Sequence, residues 1–365
     1  MRLVTLSLRN YRNYASLDLE PAPRLNLFLG ANGQGKTNLL ESVAMLALSS
    51  SPRARRETEL IGPVVQELRI AAEVESGGRR HEVTFSIVAT PAAGTIRARK
   101  RIEIDGQFSR ALDLPGLFRV SLFWPDDLSL AKAGPDNRRR LLNQMLVQIE
   151  PGYALALSRY TRVVEQRNSL LKQVAAREQP MAALDVWDQQ MAEQGEVLVA
   201  ARRRAVEDLA CRAAAGHAAI SGGERLELRY QGPPDDLVGA IEAARRDDVR
   251  RGTSGVGPHR DDVAITIGGR DARGFASQGQ QRTAVVSIKL AEAEVVTDRT
   301  GEAPVLLLDD VLSELDASRR GALLGRLTEA GQVIITSVEA DPFPEDVIEH
   351  SRVRHIEAGR LRDDG

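Results

Sequence analysis

The chain has 365 residues, of which 42% are hydrophobic and 27% are charged, and its formal net charge is −2. The length predicts two domains, or one domain with a large insertion, and the composition is that of an ordinary globular protein. The near-neutral charge argues against a uniformly basic nucleic-acid binder but leaves room for a local basic surface. With a single cysteine and no long apolar run, we expect no disulfide, no signal peptide, no membrane partner and a cytoplasmic location.

The first third of the chain alternates between strand and helix patterns. Apolar periodicity predicts a strand pair at residues 2–8 and 16–20, a buried strand at 25–29 and a helix at 36–48. Short alternating runs broken by Gly77-Gly78 and Asp105-Gly106 predict hairpins over residues 66–105.

The sequence pattern changes in the middle of the chain. Residues 137–216 carry the apolar spacing of helices, which Pro151-Gly152 and Pro180 divide into segments that we expect to be a few turns each. Strand patterns resume near 255, followed by a long helix, an apolar strand at 305–308, a helix at 317–329 and a strand at 333–335. We therefore predict an α/β head from residues 1–125 plus 255–365, with a mixed sheet, flanking helices and antiparallel hairpins. A mostly α-helical arm at 126–254 is inserted into it.

One glycine-rich loop joins the predicted strand at 25–29 to the helix at 36–48. It matches the pattern G-x-x-x-x-G-K-[ST] at every fixed position, and a chance glycine turn rarely has this strand-to-helix context. Its backbone N–H groups would surround phosphate oxygens, Lys36 would reach the β- and γ-phosphates of ATP, and Thr37 would bind Mg²⁺. The predicted ATP contacts are Gly30, Ala31, Asn32, Gly33, Gln34, Gly35, Lys36 and Thr37.

A second half-site follows the apolar strand at 305–308. Asp309 is predicted to hold Mg²⁺, and Asp310 to orient or deprotonate the attacking water. Adjacent carboxylates at the mouth of a buried strand would repel each other without a cation, which favours a nucleotide site over an ordinary turn.

A third element lies at the start of the helix before that strand. Ser277, Gly279 and Gln280 stand at its N-terminus, where a hydroxyl and free N–H groups can bind an anion. Because many helices begin with serine, this feature alone does not distinguish a site from a simple cap.

Together these motifs resemble a known family. Residues 277–281, SQGQQ, resemble the signature of ABC-type ATPases, and Ser313 and Asp316 stand where their D-loop would be. With residues 8–14, 124–128 and 257–262, the pattern resembles the RecF family of bacterial DNA replication and repair proteins over essentially the whole chain. The resemblance implies an ABC-type ATPase head in which two copies face each other. Ser277 of one copy would contact the γ-phosphate bound by the other, so Lys36, Asp309, Asp310 and Ser277 would form the catalytic set.

The resemblance also implies a function. The protein would be a slow, DNA-stimulated ATPase that forms an ATP-dependent homodimer on gapped or junction DNA, with double- and single-stranded parts, in DNA repair, replication and the SOS response. It would work with RecO and RecR to load RecA. Arginine clusters are the candidate DNA contacts, although each could be a solvated face. They comprise Arg53, Arg55, Arg56, Arg138, Arg139 and Arg140.

Other interpretations remain open for single residues and for the whole chain. Arg12, Tyr11 and Tyr14 could stack on adenine or could pack as core and surface residues, and His259 is expected to organise its loop. An ABC transporter subunit would carry two signature glycines, where this chain has Gln278 before Gly279, and a histidine in place of residues 336–337. A small-molecule P-loop kinase would need no signature helix.

Overall fold

The computed structural model describes residues 1–54, 56–62, 67–92, 95–329, 331–341 and 343–363. The chain forms two compact units. The head unit comprises Met1–Ser129 and Val285–Gly365, and the arm unit comprises Leu130–Ala284. The arm unit ends at Ala284, later than the predicted boundary at 254. A strand that follows residue 254 pairs with a strand that precedes it, so both strands belong to the arm unit.

The elements follow the predicted order closely. The strands are β1 (Arg2–Tyr11), β2 (Tyr14–Leu19), β3 (Leu25–Leu29), β4 (Glu67–Ser76), β5 (Arg79–Ala92), β6 (Thr95–Ile104), β7 (Gln107–Ser109), β8 (Val120–Phe123), β9 (Leu226–Gln231), β10 (Asp262–Ile267), β11 (Arg270–Asp271), β12 (Val305–Asp309), β13 (Val333–Ser337), β14 (Ser351–Glu357) and β15 (Arg360–Asp363). The helices are α1 (Lys36–Leu48), α2 (Pro135–Ile149), α3 (Tyr153–Ala175), α4 (Asp185–Ser221), α5 (Leu237–Arg251), α6 (Ala272–Phe275), α7 (Gln278–Thr300), α8 (Ala317–Glu329) and α9 (Glu345–Glu349).

The sheet that positions the site runs in the order β15-β14-β3-β13-β12-β8. Its neighbours from β14 to β8 are parallel, and β15 pairs antiparallel with β14. Strands β12 and β13 are buried along their whole length, which explains their continuous apolar sequence. Since β13 lies between β3 and β12, the glycine-rich loop after β3 and Asp309 at the end of β12 meet at one sheet edge.

The other head sheet is antiparallel and runs in the order β2-β1-β4-β5-β6-β7. Its hairpins confirm the strand prediction for residues 66–105. Alternate side chains of β4, among them Leu68, Ile70 and Val74, are fully buried, as expected for a strand with one face on a core.

Helices α2 to α5 and the sheet β11-β10-β9 build the arm unit. The expectation of helices of a few turns is wrong for α4, which has 37 residues. No proline interrupts it, and buried residues recur every three or four positions, including Met191, Gly195, Leu198 and Arg202. A side chain at Gly195 would meet Leu237, so glycine permits the close approach of α5.

Buried arginines are a second feature of the arm unit. Arg167 is fully buried and contacts Asp188 at 2.6 Å and Asp248 at 2.7 Å. Arg202 contacts Asp261 at 2.6 Å, and the pKa of this carboxyl is raised by burial, against which Arg202 acts. Each charge is therefore held by an opposite charge, which is the condition for burying it. Across the described ranges no helix is both long and apolar enough to cross a bilayer.

Candidate nucleotide-binding site

The glycine-rich loop joins β3 to α1 in a path that side chains would obstruct. Gly35 is the N-cap of α1 with φ 118°, a left-handed conformation that favours glycine. A Cβ at Gly30 would lie 2.4 Å from the carbonyl oxygen of Ile356 on β14. Glycine at position 30 therefore lets the loop pack against β14, and glycine at position 35 permits the turn into α1.

Neighbouring segments fix this loop from outside. The Asn13 amide donates to the carbonyl of Gln34 at 2.9 Å, and the Tyr14 hydroxyl donates to the carbonyl of Gly35 at 2.9 Å. From the turn after β14, the N–H of Gly359 also donates to Gln34, at 3.0 Å. These bonds occupy the carbonyls of Gln34 and Gly35 and fix the path of the loop.

Lys36 is folded onto the loop that precedes it. Its ammonium donates to the carbonyls of Gly30 and Ala31, the latter at 3.0 Å, and the residue is only 6% exposed. Burial lowers its pKa, while Asp310 and Asp309 oppose that shift. A buried cation whose partners are carbonyls can exchange them for phosphate oxygens, which are stronger acceptors.

Asp309 contacts the first turn of α1 across the sheet edge. The Thr37 hydroxyl donates to Oδ2 of Asp309 at 2.8 Å, and the Thr336 hydroxyl donates to Oδ1 at 2.7 Å. Burial raises the pKa of Asp309, and both hydroxyls act against this rise. Sequence reasoning missed the contact of Thr336, which lies beside Asp309 only because β12 and β13 are paired.

Asp310 follows in a strained conformation with φ 50°, unusual for a residue with a side chain. Its N–H donates to the carbonyl of Thr336 at 3.0 Å, which fixes the turn. Its Oδ1 is buried without a hydrogen-bond partner among the described residues. Such an atom costs free energy, so it marks a place for a ligand, a water or an ion.

The oxygen atoms of this region fit Mg²⁺. Thr37 supplies a hydroxyl and Asp309 a carboxylate, and Mg²⁺ is usually held by one or two such groups together with nucleotide phosphates. In the described ranges no three His, Cys, Asp or Glu side chains converge as a metal site of their own.

Glu41 on α1 anchors the region around the loop, and sequence reasoning missed it. This fully buried carboxylate accepts hydrogen bonds from Tyr11 at 2.8 Å, Arg12 at 2.8 Å and Ser51 at 2.6 Å. The Arg12 guanidinium is thus paired inside the protein. Tyr11 and Tyr14 are buried, so they pack in the core and do not stack on adenine. The sequence signal that could have identified Glu41 is that it is the one acidic residue of helix α1.

The signature residues lie in the arm unit. The Ser277 hydroxyl accepts from the N–H of Gln280 at 3.2 Å, and the Gln280 side chain accepts from the N–H of Ser277 at 2.8 Å. These two bonds form a capping box that defines the start of α7. Ser277 is exposed, and Thr283 donates to the carbonyl of Gly279 at 2.9 Å, which continues the first turn.

The D-loop residues follow β12 directly. The Ser313 hydroxyl donates to the carbonyl of Asp310 at 2.7 Å. Asp316 accepts from the N–H of Arg319 at 2.9 Å and caps α8. Both residues therefore stabilise the segment that follows the adjacent residues Asp309 and Asp310.

Comparison with known proteins agrees with these motifs. The family model for the RecF/RecN/SMC N terminal domain matches residues 2–360. The DNA replication and repair protein RecF of Listeria welshimeri is 37% identical over 377 residues, covering 99% of this chain and 100% of the relative. The chain belongs to the RecF family. RecF of Symbiobacterium thermophilum is 43% identical over 356 residues, covering 93% and 92% of the two chains.

A solved structure of the recombination mediator protein RecF with ATP, in the RecFOR pathway, has the same fold. Its TM-score is 0.87 at 29% identity, and the match covers 100% of this chain and 97% of that chain. The architecture is thus that of an ABC-type ATPase, and membership in the RecF family makes the chain a DNA replication and repair protein. The transporter and kinase interpretations are not favoured.

The arginines predicted to contact DNA separate into groups in this RecF family member. Arg56 is exposed, and Arg53, with a side chain 42% exposed, donates to Asn38 at 3.3 Å. Arg55 lies outside the described residues. Arg138 is buried, and it donates to both oxygens of Asp262, at 2.6 and 2.9 Å. This pairing removes Arg138 from the candidate DNA contacts.

The last two arginines and the predicted loop histidine share one region of the arm unit. Arg139 and Arg140 line a cavity of about 430 Å³. Arg139 donates to the carbonyl of Asp261 and to Asp136. His259 contacts the Tyr160 hydroxyl at 2.6 Å and the carbonyl of Ser254 at 2.9 Å, which fits the expected role in organising its loop. Burial lowers the pKa of His259.

Proposed function

We propose that this protein is an ATP-dependent dimerisation switch that binds DNA at gaps and junctions and resets by slow, DNA-stimulated hydrolysis. The observation that carries the proposal is the contact of Thr37 with Asp309, next to Asp310, whose buried Oδ1 has no hydrogen-bond partner within the described ranges. This geometry brings a phosphate cradle and two carboxylates to one sheet edge. Members of the same family have been solved with ATP.

Each site residue has a proposed part. Lys36 holds the β- and γ-phosphates, while Thr37 and Asp309 hold Mg²⁺, which would supply positive charge to the phosphate oxygens. Asp310 orients the attacking water, and its buried, strained position suits that task. Gly30, Ala31, Asn32, Gly33, Gln34 and Gly35 form the cradle, and Arg12 stands beside it through its pair with Glu41.

The head and arm units have separate proposed roles. The head unit binds ATP, and the arm unit presents Ser277, Gly279 and Gln280 to the ATP site of a second copy. Ser313 and Asp316 would line the same interface. Ser277 suits this role because it is exposed at a helix N-terminus, where the positive dipole end favours phosphate.

DNA is the proposed macromolecular ligand, in its gapped or junction form. Arg53, Arg56, Arg139 and Arg140 would contact phosphates, so binding should weaken steeply as salt rises. Because the solved relative belongs to the RecFOR pathway, we propose RecO and RecR as partners in loading RecA. This work on chromosomal DNA would take place in the cytoplasm.

Sedimentation with and without a non-hydrolysable ATP analogue and gapped DNA tests the proposal. We expect a monomer without nucleotide and a dimer with it. Lys36→Ala should remain monomeric because it loses the nucleotide, and Asp310→Asn should accumulate the ATP-bound dimer. A wild-type protein that stays monomeric with the analogue and DNA would overturn the switch.

Ser277→Arg tests the contribution of the second copy. We expect normal binding of the analogue and no dimer, because a large charged side chain would occupy the phosphate position. Ser169→Arg is the matched control, since Ser169 is also an exposed serine of the arm unit but lies within α3. An unaffected Ser277→Arg dimer would remove the trans role of the signature.

A further inference from the structure

The signature of this chain is tied to the end of the long arm helix α4. The Gln280 side-chain amide donates to Oε1 of Glu224, which follows α4 by three residues. Gln280 is also the residue whose side-chain oxygen accepts from the N–H of Ser277 at 2.8 Å. Both the oxygen and the nitrogen of the Gln280 side-chain amide are therefore hydrogen-bonded, which fixes its orientation.

The other oxygen of Glu224 faces α4 itself. Nε2 of His217 lies 3.3 Å from Oε2 of Glu224, and since a carboxylate only accepts, the imidazole donates. His217 is fully buried, and its Nδ1 has no hydrogen-bond partner among the described residues. In the part of the chain that the structure describes, this is the ring's one polar contact, and Glu224 joins α4 to the first turn of α7.

We propose that Glu224 is a positioning residue for Ser277, acting through Gln280 from the end of α4. This inference rests on the proposed function, in which Ser277 reaches the nucleotide of a second copy. Glu224 lies in the loop after α4, and its side chain contacts Gln280 and His217. Its effect is to fix the capping box, so that the Ser277 hydroxyl and the free N–H groups of α7 keep one direction.

The boundary between the two compact units strengthens this interpretation. Helix α7 begins in the arm unit and continues in the head unit from Val285. The amide of Gln281 also donates to the carbonyls of Ala272 and Ala276, at 3.0 and 3.2 Å, which ties the preceding loop to the same turn. The signature turn is thus held by arm-unit contacts, so a change at the end of α4 is transmitted to Ser277.

Two measurements test the proposal. In the nucleotide-free protein, Glu224→Ala should raise the amide hydrogen-exchange rate of Ser277 and Gln280 about tenfold, the value of one typical hydrogen bond. With the ATP analogue, the same variant should weaken the dimer about tenfold and leave nucleotide affinity unchanged. Glu207→Ala is the matched control, because Glu207 is an exposed glutamate within α4.

Two further variants separate positioning from general structural damage. Glu224→Gln should restore the dimer to within about threefold, because its oxygen still accepts from Gln280 and the buried imidazole can exchange tautomers. The double variant Glu224→Ala with Gln280→Ala should dimerise no worse than Gln280→Ala alone, since the two residues act in series.

The outcomes are distinguishable. Unchanged hydrogen exchange in Glu224→Ala, or additive effects in the double variant, would overturn the positioning role. Faster exchange with an unchanged dimer would also overturn it, since Ser277 would then not need fixing. A wild-type protein that never dimerises contradicts the proposed function, while the exchange measurement still decides whether Glu224 fixes the signature turn.

Discussion

Buried charges have different partners in the nucleotide site of the head unit and in the core of the arm unit. In the arm unit, fully buried Arg167 contacts two aspartates within hydrogen-bond distance. In the head unit, Asp309 accepts hydrogen bonds from hydroxyls, and one buried oxygen of Asp310 has no hydrogen-bond partner among the described residues. In the arm unit both aspartates are paired with a guanidinium of the chain, and Nη2 of Arg167 has no hydrogen-bond partner among the described residues. We propose that a cation and phosphates from outside the chain complete the head arrangement.

This difference shows how a buried carboxylate can be assigned. A charge that meets an opposite charge in its own unit stabilises one packing, and its loss leaves the partner buried and alone. A buried charge without a direct ion pair raises the free energy of the empty protein, which is justified where a ligand binds.

The largest effect is expected for the arm core. Arg167→Ala should lower the free energy of unfolding by about 3–5 kcal/mol, because buried Asp248 loses its ion pair and Asp188 keeps Arg245 but loses the Arg167 guanidinium. Urea denaturation followed by circular dichroism measures this. Arg203→Ala, which removes an ion pair whose side chains are 50% and 89% exposed, should cost less than about 1 kcal/mol. Equal losses for the two variants would show that the arm core does not depend on its pairing.

A smaller effect of opposite sign is expected in the head. Asp309→Asn should raise the stability of the nucleotide-free protein at neutral pH by on the order of 1 kcal/mol, because it removes a charge that burial disfavours. The pKa of Asp309 is raised on folding, so its charge costs stability above the folded pKa. The gain should therefore shrink as pH falls toward the ordinary value of 3.8.

Thermal unfolding at several pH values measures the gain for Asp309→Asn. Asp126→Asn, at an exposed aspartate of the head unit, is the control and should change nothing. A destabilised Asp309→Asn would mean that the carboxylate is satisfied by the protein itself, which contradicts the comparison.

The smallest expected effect is on the salt dependence of DNA binding, and it distinguishes exposed arginines from ion-paired ones. Arg56→Ala should lower the slope of log binding constant against log salt by about 0.9, because one phosphate contact on duplex DNA is lost. Arg138→Met should leave the slope unchanged, since Arg138 is bound to Asp262. Fluorescence anisotropy of a labelled gapped duplex across a salt series gives both slopes. A reduced slope for Arg138→Met would return that residue to the DNA surface.

Sequence reasoning predicted the head better than the arm. The loop before Lys36 and the strand before Asp309 are short motifs whose residues are contiguous, so pattern and spacing identify them. The arm helices were predicted as a class, but the 37-residue length of α4 was not, although the predicted breaks at Pro151-Gly152 and Pro180 both lie before it. The sequence did not reveal the ion pair between Arg138 and Asp262, because the two residues are 124 positions apart.

The sequence alone determined the nucleotide motifs, the order of elements and the resemblance to the RecF family. Only the tertiary structure decided that Thr336 holds Asp309 and that Glu224 holds Gln280, across separations of 27 and 56 residues. The physical reason is that motifs and periodicity arise from local backbone geometry. A hydrogen bond between distant segments depends on strand pairing and helix packing, which leave no repeating pattern in the chain.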